Sequence, residues 1–362
     1  MRLVLLGDGE SPHLLKWARA LAPQMELWVA SSRGFAPGFD ALVPAERRLA
    51  LATRPNSAGG NGALLRELPR LARWLRNVRA DWIHAHYLTS HGTLAWLATR
   101  WLGAPGRLVG SAWGSDILVT PQRSRLLRWV TGQVLRACAL TTSDSQVMAR
   151  QMHTLGAAEV MVFPFGLEAL PPLPVPGSKR NHLFFANRGL ELIYAPAQVL
   201  RLFAGVATGW PDAELVVAND GALRPLLEQQ AADLGIARHV RFVGRLDAAA
   251  QARCYAEARW YLSLPESDSV SVSVLEAMAH GCIPILSDLP ANHELARSGD
   301  NGLVLAGEQL PNATTLAALL PRAEAIARAN HAWVAAHAMF GPAVAGFLAR
   351  LRAIDDAGTR RA

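Results

Sequence analysis

The sequence predicts an α/β protein made of two doubly wound domains. Three observations carry this. Short apolar strands alternate with amphipathic helices from Arg2 to beyond Asn301. The chain has 362 residues, 51% of them hydrophobic, which is enough apolar material for two cores. A Pro-rich stretch, Leu170 to Gly177 (LPPLPVPG), interrupts the alternation near its middle. The expected organisation is a first domain over residues 1–170 and a linker over 171–180. A second domain follows over 181–330, then a C-terminal helical segment over 331–362.

Arg2 to Leu6 reads as a buried strand. The turn Gly7-Asp8-Gly9-Glu10-Ser11-Pro12 leads into a helix, His13 to Ala22, with Leu14, Leu15, Trp17, Ala18 and Leu21 on one face. Leu27 to Ala30 completes a β-α-β start. The glycine turn lacks the third glycine and the later acid of a dinucleotide fingerprint, so it reads as a tight turn beside a cleft. His13 either faces that cleft or simply starts the helix. Residues 31 to 62 are rich in Gly, Pro, Ser and Arg and predict a loop-rich excursion. Leu64 to Arg79 predicts an amphipathic helix, with Arg66, Arg70, Arg73, Arg76 and Arg79 recurring among Leu65, Leu68, Leu71, Trp74 and Leu75. Such a helix either lies on an anionic membrane or forms the solvated outer layer of a domain.

Asp81 to Tyr87 is a strand ending in His86-Tyr87, with a helix from Gly92 to Trp101 after it. Arg107 to Ala112 is a strand that runs into Trp113-Gly114-Ser115-Asp116. Ser124 to Cys138 and Ser145 to Leu155 read as helices, and Leu140 to Ser145 and Val160 to Phe163 as strands. In the second half, Leu183 to Ala186 is a strand leading to Asn187-Arg188. Helices follow at Ala197–Thr208, Arg224–Leu234 and Ala248–Ala258, and strands at Glu214–Ala218 and Val240–Gly244. Ile283 to Leu286 is a strand, Asn292 to Leu295 a helix start and Asn301 to Leu305 a last strand. The terminal region, Ala332 to Ala353, is helical and broken at Gly341-Pro342.

The stretch Leu262 to Gly281, LSLPESDSVSVSVLEAMAHG, concentrates the chemistry. A strand end passes through a polar loop into a helix stopped by Gly281. In α/β proteins that is where ligands sit. Serines and open N–H groups at a helix start suit phosphate, because donors and dipole both face it. Asp268 and Glu276 flank that start, and carboxylates there repel phosphate but accept from paired sugar hydroxyls. A nucleotide sugar satisfies both conditions.

DSVSVSVLEAMAHGCIPILSD is similar to the signature of family 4 retaining glycosyltransferases of the bacterial surface-polysaccharide type. The signature is an acid, seven residues and a Glu, followed by AMA-x-G-x-P. HAHY and WGSD resemble the family's H-x-H and H-G-S-D elements. The resemblance implies the GT-B fold, two Rossmann-like domains facing across a cleft, and metal-independent hexosyl transfer from a nucleotide sugar. It also implies that the terminal helix crosses back to the first domain. In that scheme Asp268 orients the donor sugar and Glu276 holds the ribose. Arg188 and the N–H groups of Ser271, Val272, Ser273 and Val274 hold the diphosphate. Gly244 and Arg245 are base or phosphate candidates, or ordinary loop geometry. Gly9, Trp113 and Asp116 lie on the acceptor side, and His86 is a catalytic candidate or a structural strand-end histidine.

The sequence departs from the family at three places, the first being Asp268, where the leading acid is usually Glu. Trp113 stands where a His usually precedes GSD, and no Lys follows Arg188, where Ile193-Tyr194 are found. Cofactors are expected to be none, since no His, Asp or Cys cluster has ligand-like spacing. Expected partners are a UDP- or GDP-linked sugar, a glycan or polyprenol-linked acceptor and an anionic membrane surface, and no nucleic acid. The net charge of +7 suits such a surface. Cys138, Cys254 and Cys282 read as buried thiols of a reducing, cytoplasmic compartment at the inner membrane face. The N-terminus reaches Gly7 too soon for a signal peptide, and no apolar run is long enough to span a bilayer. A non-catalytic GT-B subunit and a nucleotide-sugar epimerase are the alternative readings.

Overall fold

The computed structural model describes residues 1–53, 62–307 and 310–359, so part of the expected excursion, residues 54–61, lies outside the described residues. Two compact units result. Unit 1 holds Met1–Phe163 and the chain from Gly341 onward, and unit 2 holds Pro164–Phe340. The boundaries fall ahead of the Pro-rich stretch and after the expected end of the second domain. The reason is local: Leu167 N–H donates to Ala338 C=O and Phe340 N–H to Leu167 C=O, each 2.8 Å, which ties both segments into unit 2.

The strands of unit 1 are β1 (Arg2–Gly7), β2 (Glu26–Ser31), β3 (Arg48–Ala50), β4 (Trp82–His86), β5 (Arg107–Ser111), β6 (Cys138–Ser143) and β7 (Val160–Val162). They form a parallel sheet in the order β3-β2-β1-β4-β5-β6-β7. β3 was not foreseen, because its three residues sit inside the polar excursion. The longer helices before the terminal one are α1 (Pro12–Leu21), α2 (Leu68–Val78), α3 (Thr93–Leu102), α4 (Arg125–Ala137) and α5 (Gln146–Leu155). A sheet buried on both faces needs apolar residues in sequence, and Leu3, Val4, Leu5 and Leu6 are all fully buried.

The expected helix over Leu64 to Arg79 is broken before Pro69, with a short piece at Gly62–Arg66 and α2 after it. Leu71, Ala72, Leu75 and Val78 of α2 are buried in the core and Leu68 and Trp74 are half-buried against it, so Arg70, Arg73 and Arg76 face outward with Pro69 and Asn77. That is the packing of a solvated outer helix.

Unit 2 contains β8 (Arg180–Ala186), α6 (Pro196–Gly209), β9 (Glu214–Ala218), α7 (Arg224–Asp233), β10 (Val240–Gly244), α8 (Ala248–Glu257), β11 (Ala258–Ser263), α9 (Val272–Ala279), β12 (Ile283–Leu286), β13 (Leu303–Val304) and α10 (Ala323–His337). Its parallel sheet runs β10-β9-β8-β11-β12-β13. The helix expected from Asn292 is a single 3-10 turn, Asn292–Glu294. Leu192–Gly209 is apolar and long enough, by length and composition, to cross a membrane. Its α-helical part starts only at Pro196, and Val199, Leu200, Leu202, Phe203 and Val206 are buried in the unit 2 core.

The terminal region is not broken at Gly341-Pro342. It breaks at Ala338-Met339, and the last helix, α11 (Phe340–Thr359), carries Pro342 in its first turn, where a missing N–H costs nothing. Within unit 1, α11 is tied by Arg350 to Glu159 (2.5 and 2.7 Å) and by Asp355, which accepts from Trp82 Nε1 (3.1 Å).

Both sheets wind outward from a central strand and then return beside it. β1 and β4 flank the reversal in unit 1, and β8 and β11 flank it in unit 2. Strand ends at such a reversal open a crevice that loops cannot fill.

Candidate functional site

In unit 2 the crevice is lined by the residues that follow β8 and β11. Arg188 comes two residues after β8 and Asp268 five after β11. The Arg188 guanidinium donates from Nη2 to Asp268 Oδ2 (2.7 Å), and from Nη1 to Ser273 Oγ (3.2 Å) and to Ser271 Oγ. Ser271 precedes α9 and makes no side-chain cap bond to it. Its hydroxyl is turned to Arg188 instead, and the N–H groups of Val272 and Ser273 point from the helix start, whereas Val274 N–H donates to the Ser271 carbonyl (3.1 Å). Tyr194 lies under the guanidinium, whose carbon is 4.5 Å from the ring centroid. The ring thus stands where the family's Lys is usual, and it braces Arg188 without adding charge.

Burial pushes the Asp268 carboxyl up, and the guanidinium opposes this. Burial also pulls Arg188 down, but Asp268 and Tyr261, Tyr194 and Tyr255 outweigh it and hold the cation. The pair is only partly covered, with Asp268 at 22% side-chain exposure. A diphosphate can therefore reach the same guanidinium.

Behind Arg188 runs a polar network that sequence reasoning missed. Asn187 Nδ2 donates to Tyr255 Oη (2.8 Å), and Tyr261 Oη donates to Asn187 Oδ1 (2.7 Å). Burial raises both phenols well above the usual range, so they remain protonated donors. Glu276 Oε2 accepts from Tyr255 Oη (3.0 Å) and from Gln251 Nε2 (3.1 Å), both on α8. Arg188, Asp268, Ser271, Ser273 and Glu276 thus share one connected array. The only advance signal for it was Asn187 beside Arg188, since Tyr255 and Tyr261 look like core aromatics. Glu266 is exposed and outside the array.

Lys179 is also outside it. Its ammonium is buried and donates to the Tyr255 and Ala258 carbonyls (2.7 Å each), which closes the end of α8. Gly244 ends β10 in a left-handed conformation (φ 71°), and its carbonyl accepts from Asn219 N–H (2.7 Å). That is local geometry at a bulge between β10 and β9. Arg245 follows, exposed, on the same edge of the sheet. β9 separates it from β8, roughly 9–10 Å by strand spacing.

In unit 1, β4 delivers His86 and β5 delivers Trp113. Trp113 Nε1 donates to His86 Nδ1 (3.2 Å), which puts the imidazole proton on Nε2. Trp113 also packs on Tyr87 (5.8 Å, stacked) and on His13 (4.7 Å). Tyr87 itself is left-handed (φ 62°), a strained position at the strand end. Asp116 is buried and clamps this corner, accepting from Leu88 N–H (2.8 Å) and Trp113 N–H (2.9 Å). Burial raises its pKa to about 6, against those hydrogen bonds. Burial, with His84, His91 and His13 near it, holds His86 well below 6.5, so it is a neutral imidazole. Gly9 stands apart from this cluster. A Cβ there would meet Gly34 O at 2.5 Å and Ser31 Oγ at 2.8 Å, so its glycine is required by close packing of the turn.

Two family profiles match the chain, "Glycosyl transferase 4-like" over residues 2–145 and "Glycosyl transferases group 1" over residues 176–336. A phosphatidyl-myo-inositol mannosyltransferase of Mycobacterium leprae is 30% identical over 178 residues, 47% of this chain and 46% of that protein. The chain spans about half the length of the curated relatives it matches. A sucrose-phosphate synthase from Thermosynechococcus elongatus superposes with a TM-score of 0.81 at 14% identity, over 99% of this chain and 100% of that one. Anabaena HepE, solved in complex with UDP and glucose, gives 0.78 at 16% identity, over 97% and 100%. Likeness at such identities is likeness of fold.

Proposed function

We propose, for a chain that belongs to the family 4 type of glycosyltransferases with the GT-B fold, that it moves a sugar from a nucleotide sugar to a glycan or lipid-linked glycan with retention at the anomeric carbon. The observation that carries this reading is Arg188, held by Asp268, Ser271 and Ser273 at the start of α9. A fixed guanidinium beside open N–H groups is a place for the diphosphate, where charge grows as the sugar departs. Asp268 then orients the sugar and Glu276, steadied by Tyr255 and Gln251, accepts from the ribose hydroxyls. Unit 1 supplies the acceptor side. There Trp113 and Tyr87 offer stacked rings to a sugar face, and His86, whose Nε2 is buried, acts by accepting from Trp113 at Nδ1 and fixing that ring, not by touching the sugar. HepE was solved with UDP and glucose, and the Mycobacterium relative is a mannosyltransferase of a phosphatidylinositol. Those names support a UDP-linked hexose and a lipid-borne acceptor; a GDP-linked donor and a role in surface-glycan synthesis belong to the proposal alone.

Thermal shift with UDP, GDP, ADP, dTDP and CMP tests the donor site. One nucleotide at a hundred times its Kd is expected to stabilise by about 2.7 kcal/mol, a rise of several degrees. Glu276→Ala is expected to abolish most of that rise. No shift with any nucleotide would remove the donor role from unit 2.

In this reading the transfer is metal-independent, with Arg188 and the α9 start facing the diphosphate. EDTA is expected to leave the transfer rate unchanged. A loss that Mg²⁺ or Mn²⁺ restores would overturn the metal-free assignment.

Trp113 in place of the usual His favours a second reading, a subunit that binds sugars without transferring them. Transfer by the purified chain alone would exclude it.

A further inference from the structure

We infer that the first half of α4 is a docking surface for an anionic lipid bilayer. Every residue from Gln122 to Trp129 is exposed. Three of them are large and apolar: Leu126 at 68% exposure, Leu127 at 36% and Trp129 at 55%. The buried residues of the helix, Thr131, Gly132, Val134 and Leu135, all lie in its second half. The first half therefore carries apolar side chains that the described residues cover only in part, Leu126 least of all. α3 packs beside it, with Trp96 edge-on to Trp129 (6.4 Å). Two leucines and a tryptophan concentrated on one segment are costly in water.

Charge selects the occupant. From Trp82 to Ser143 the sequence has six arginines and one acid, Asp116, which is buried. Arg107 is paired with Asp355. Arg123, Arg125 and Arg128 are exposed and interleave with Leu126, Leu127 and Trp129. Apolar tips between guanidinium groups match the boundary between acyl chains and anionic headgroups, where Trp is also at home. Each arginine near an anionic surface adds attraction that salt weakens. α2 lacks this pattern, since its leucines are in the core. The inference deepens the proposed function by locating where a lipid-linked acceptor is met, but vesicle binding tests it apart from transfer.

The test is co-sedimentation of the full chain with vesicles of phosphatidylcholine, alone or mixed equally with phosphatidylglycerol. Wild type is expected to bind the anionic vesicles at least roughly tenfold more tightly, and to release as NaCl rises. The variant Leu126→Ser/Leu127→Ser/Trp129→Ser is expected to lose roughly thirtyfold in affinity. Arg123→Gln/Arg125→Gln/Arg128→Gln is expected to lose the preference for anionic lipid. Arg70→Gln/Arg73→Gln/Arg76→Gln on α2 is expected to change binding less than twofold or so. Unchanged melting temperatures exclude misfolding as the cause, because all these positions are exposed or half-buried. The inference is overturned if wild type does not sediment with anionic vesicles, or if the Leu/Trp variant binds as well. It is also overturned if the α2 variant loses as much, or if ultracentrifugation shows a dimer that the Leu/Trp variant abolishes, which would give this face to a second copy.

Discussion

Arg188→Met is expected to lower kcat by about a thousandfold, roughly 4 kcal/mol of transition-state stabilisation, and to raise the KM for the donor. The substitution removes the cation that faces the leaving diphosphate, and Asp268 loses its partner at 2.7 Å. An acid left half-buried at a phosphate site repels the donor as well, so both constants move. Arg188→Lys is expected to recover less than a tenth or so of the activity, because one ammonium cannot reproduce a planar fork that reaches Asp268 with one nitrogen and both serines with the other. Tyr194→Leu isolates the bracing role, since it removes the ring under the guanidinium but no charge. Steady-state kinetics with the donor found by thermal shift would check all three. An Arg188→Met enzyme within tenfold or so of wild type would take Arg188 off the diphosphate.

Acidification is expected to destabilise unit 1 steeply between pH 6.5 and pH 5. Burial depresses His84 to about 3 and His91 to about 4, and holds His86 well below 6.5. The unfolded chain takes up three protons as pH falls through 6.5, and the folded unit takes up none of them until far lower. Stability present at neutral pH is therefore lost as pH falls, at up to roughly 4 kcal/mol per pH unit. Asp116 acts in the opposite sense, because its raised pKa of about 6 lets the folded unit bind a proton first. The net loss from pH 7 to pH 5 is on the order of 4–5 kcal/mol, comparable to the whole stability of an ordinary domain. The geometry explains why the histidines resist charge. His91 Nδ1 donates to the His86 carbonyl (2.7 Å), His84 Nε2 is bonded to Ser111 Oγ (2.6 Å), and Trp17 packs edge-on to both His84 and His86. Denaturant unfolding at pH 7, 6 and 5 would check this. His91→Gln is expected to reduce the slope by about one proton, roughly 1.4 kcal/mol per pH unit. A midpoint that does not move between pH 7 and pH 5 would mean that water already solvates the cluster.

The alternation of strands and helices is written locally, because each element of either domain carries its own apolar period and its own stops. Gly281 after α9 and the serines ahead of it are local signals of that kind. The acid pair Asp268 and Glu276 was legible for the same reason, as spacing across one loop and one helix. Arg188 was legible from its place after a strand, but its contacts with Asp268, 80 residues on, and with Ser271 and Ser273 were not. They depend on β8 lying beside β11, a neighbour set by sheet order and by no local preference. The Asn187–Tyr255–Tyr261 network was hidden because a buried tyrosine that donates looks, in sequence, like one that only fills space. The helices posed the same problem in reverse. α2 and α4 both show arginines among leucines, and periodicity treats them alike. Only the packing decided that Leu71 and Leu75 of α2 go into the core while Leu126 and Trp129 of α4 stay outside it, because an apolar face is a surface only where the rest of the chain leaves it uncovered.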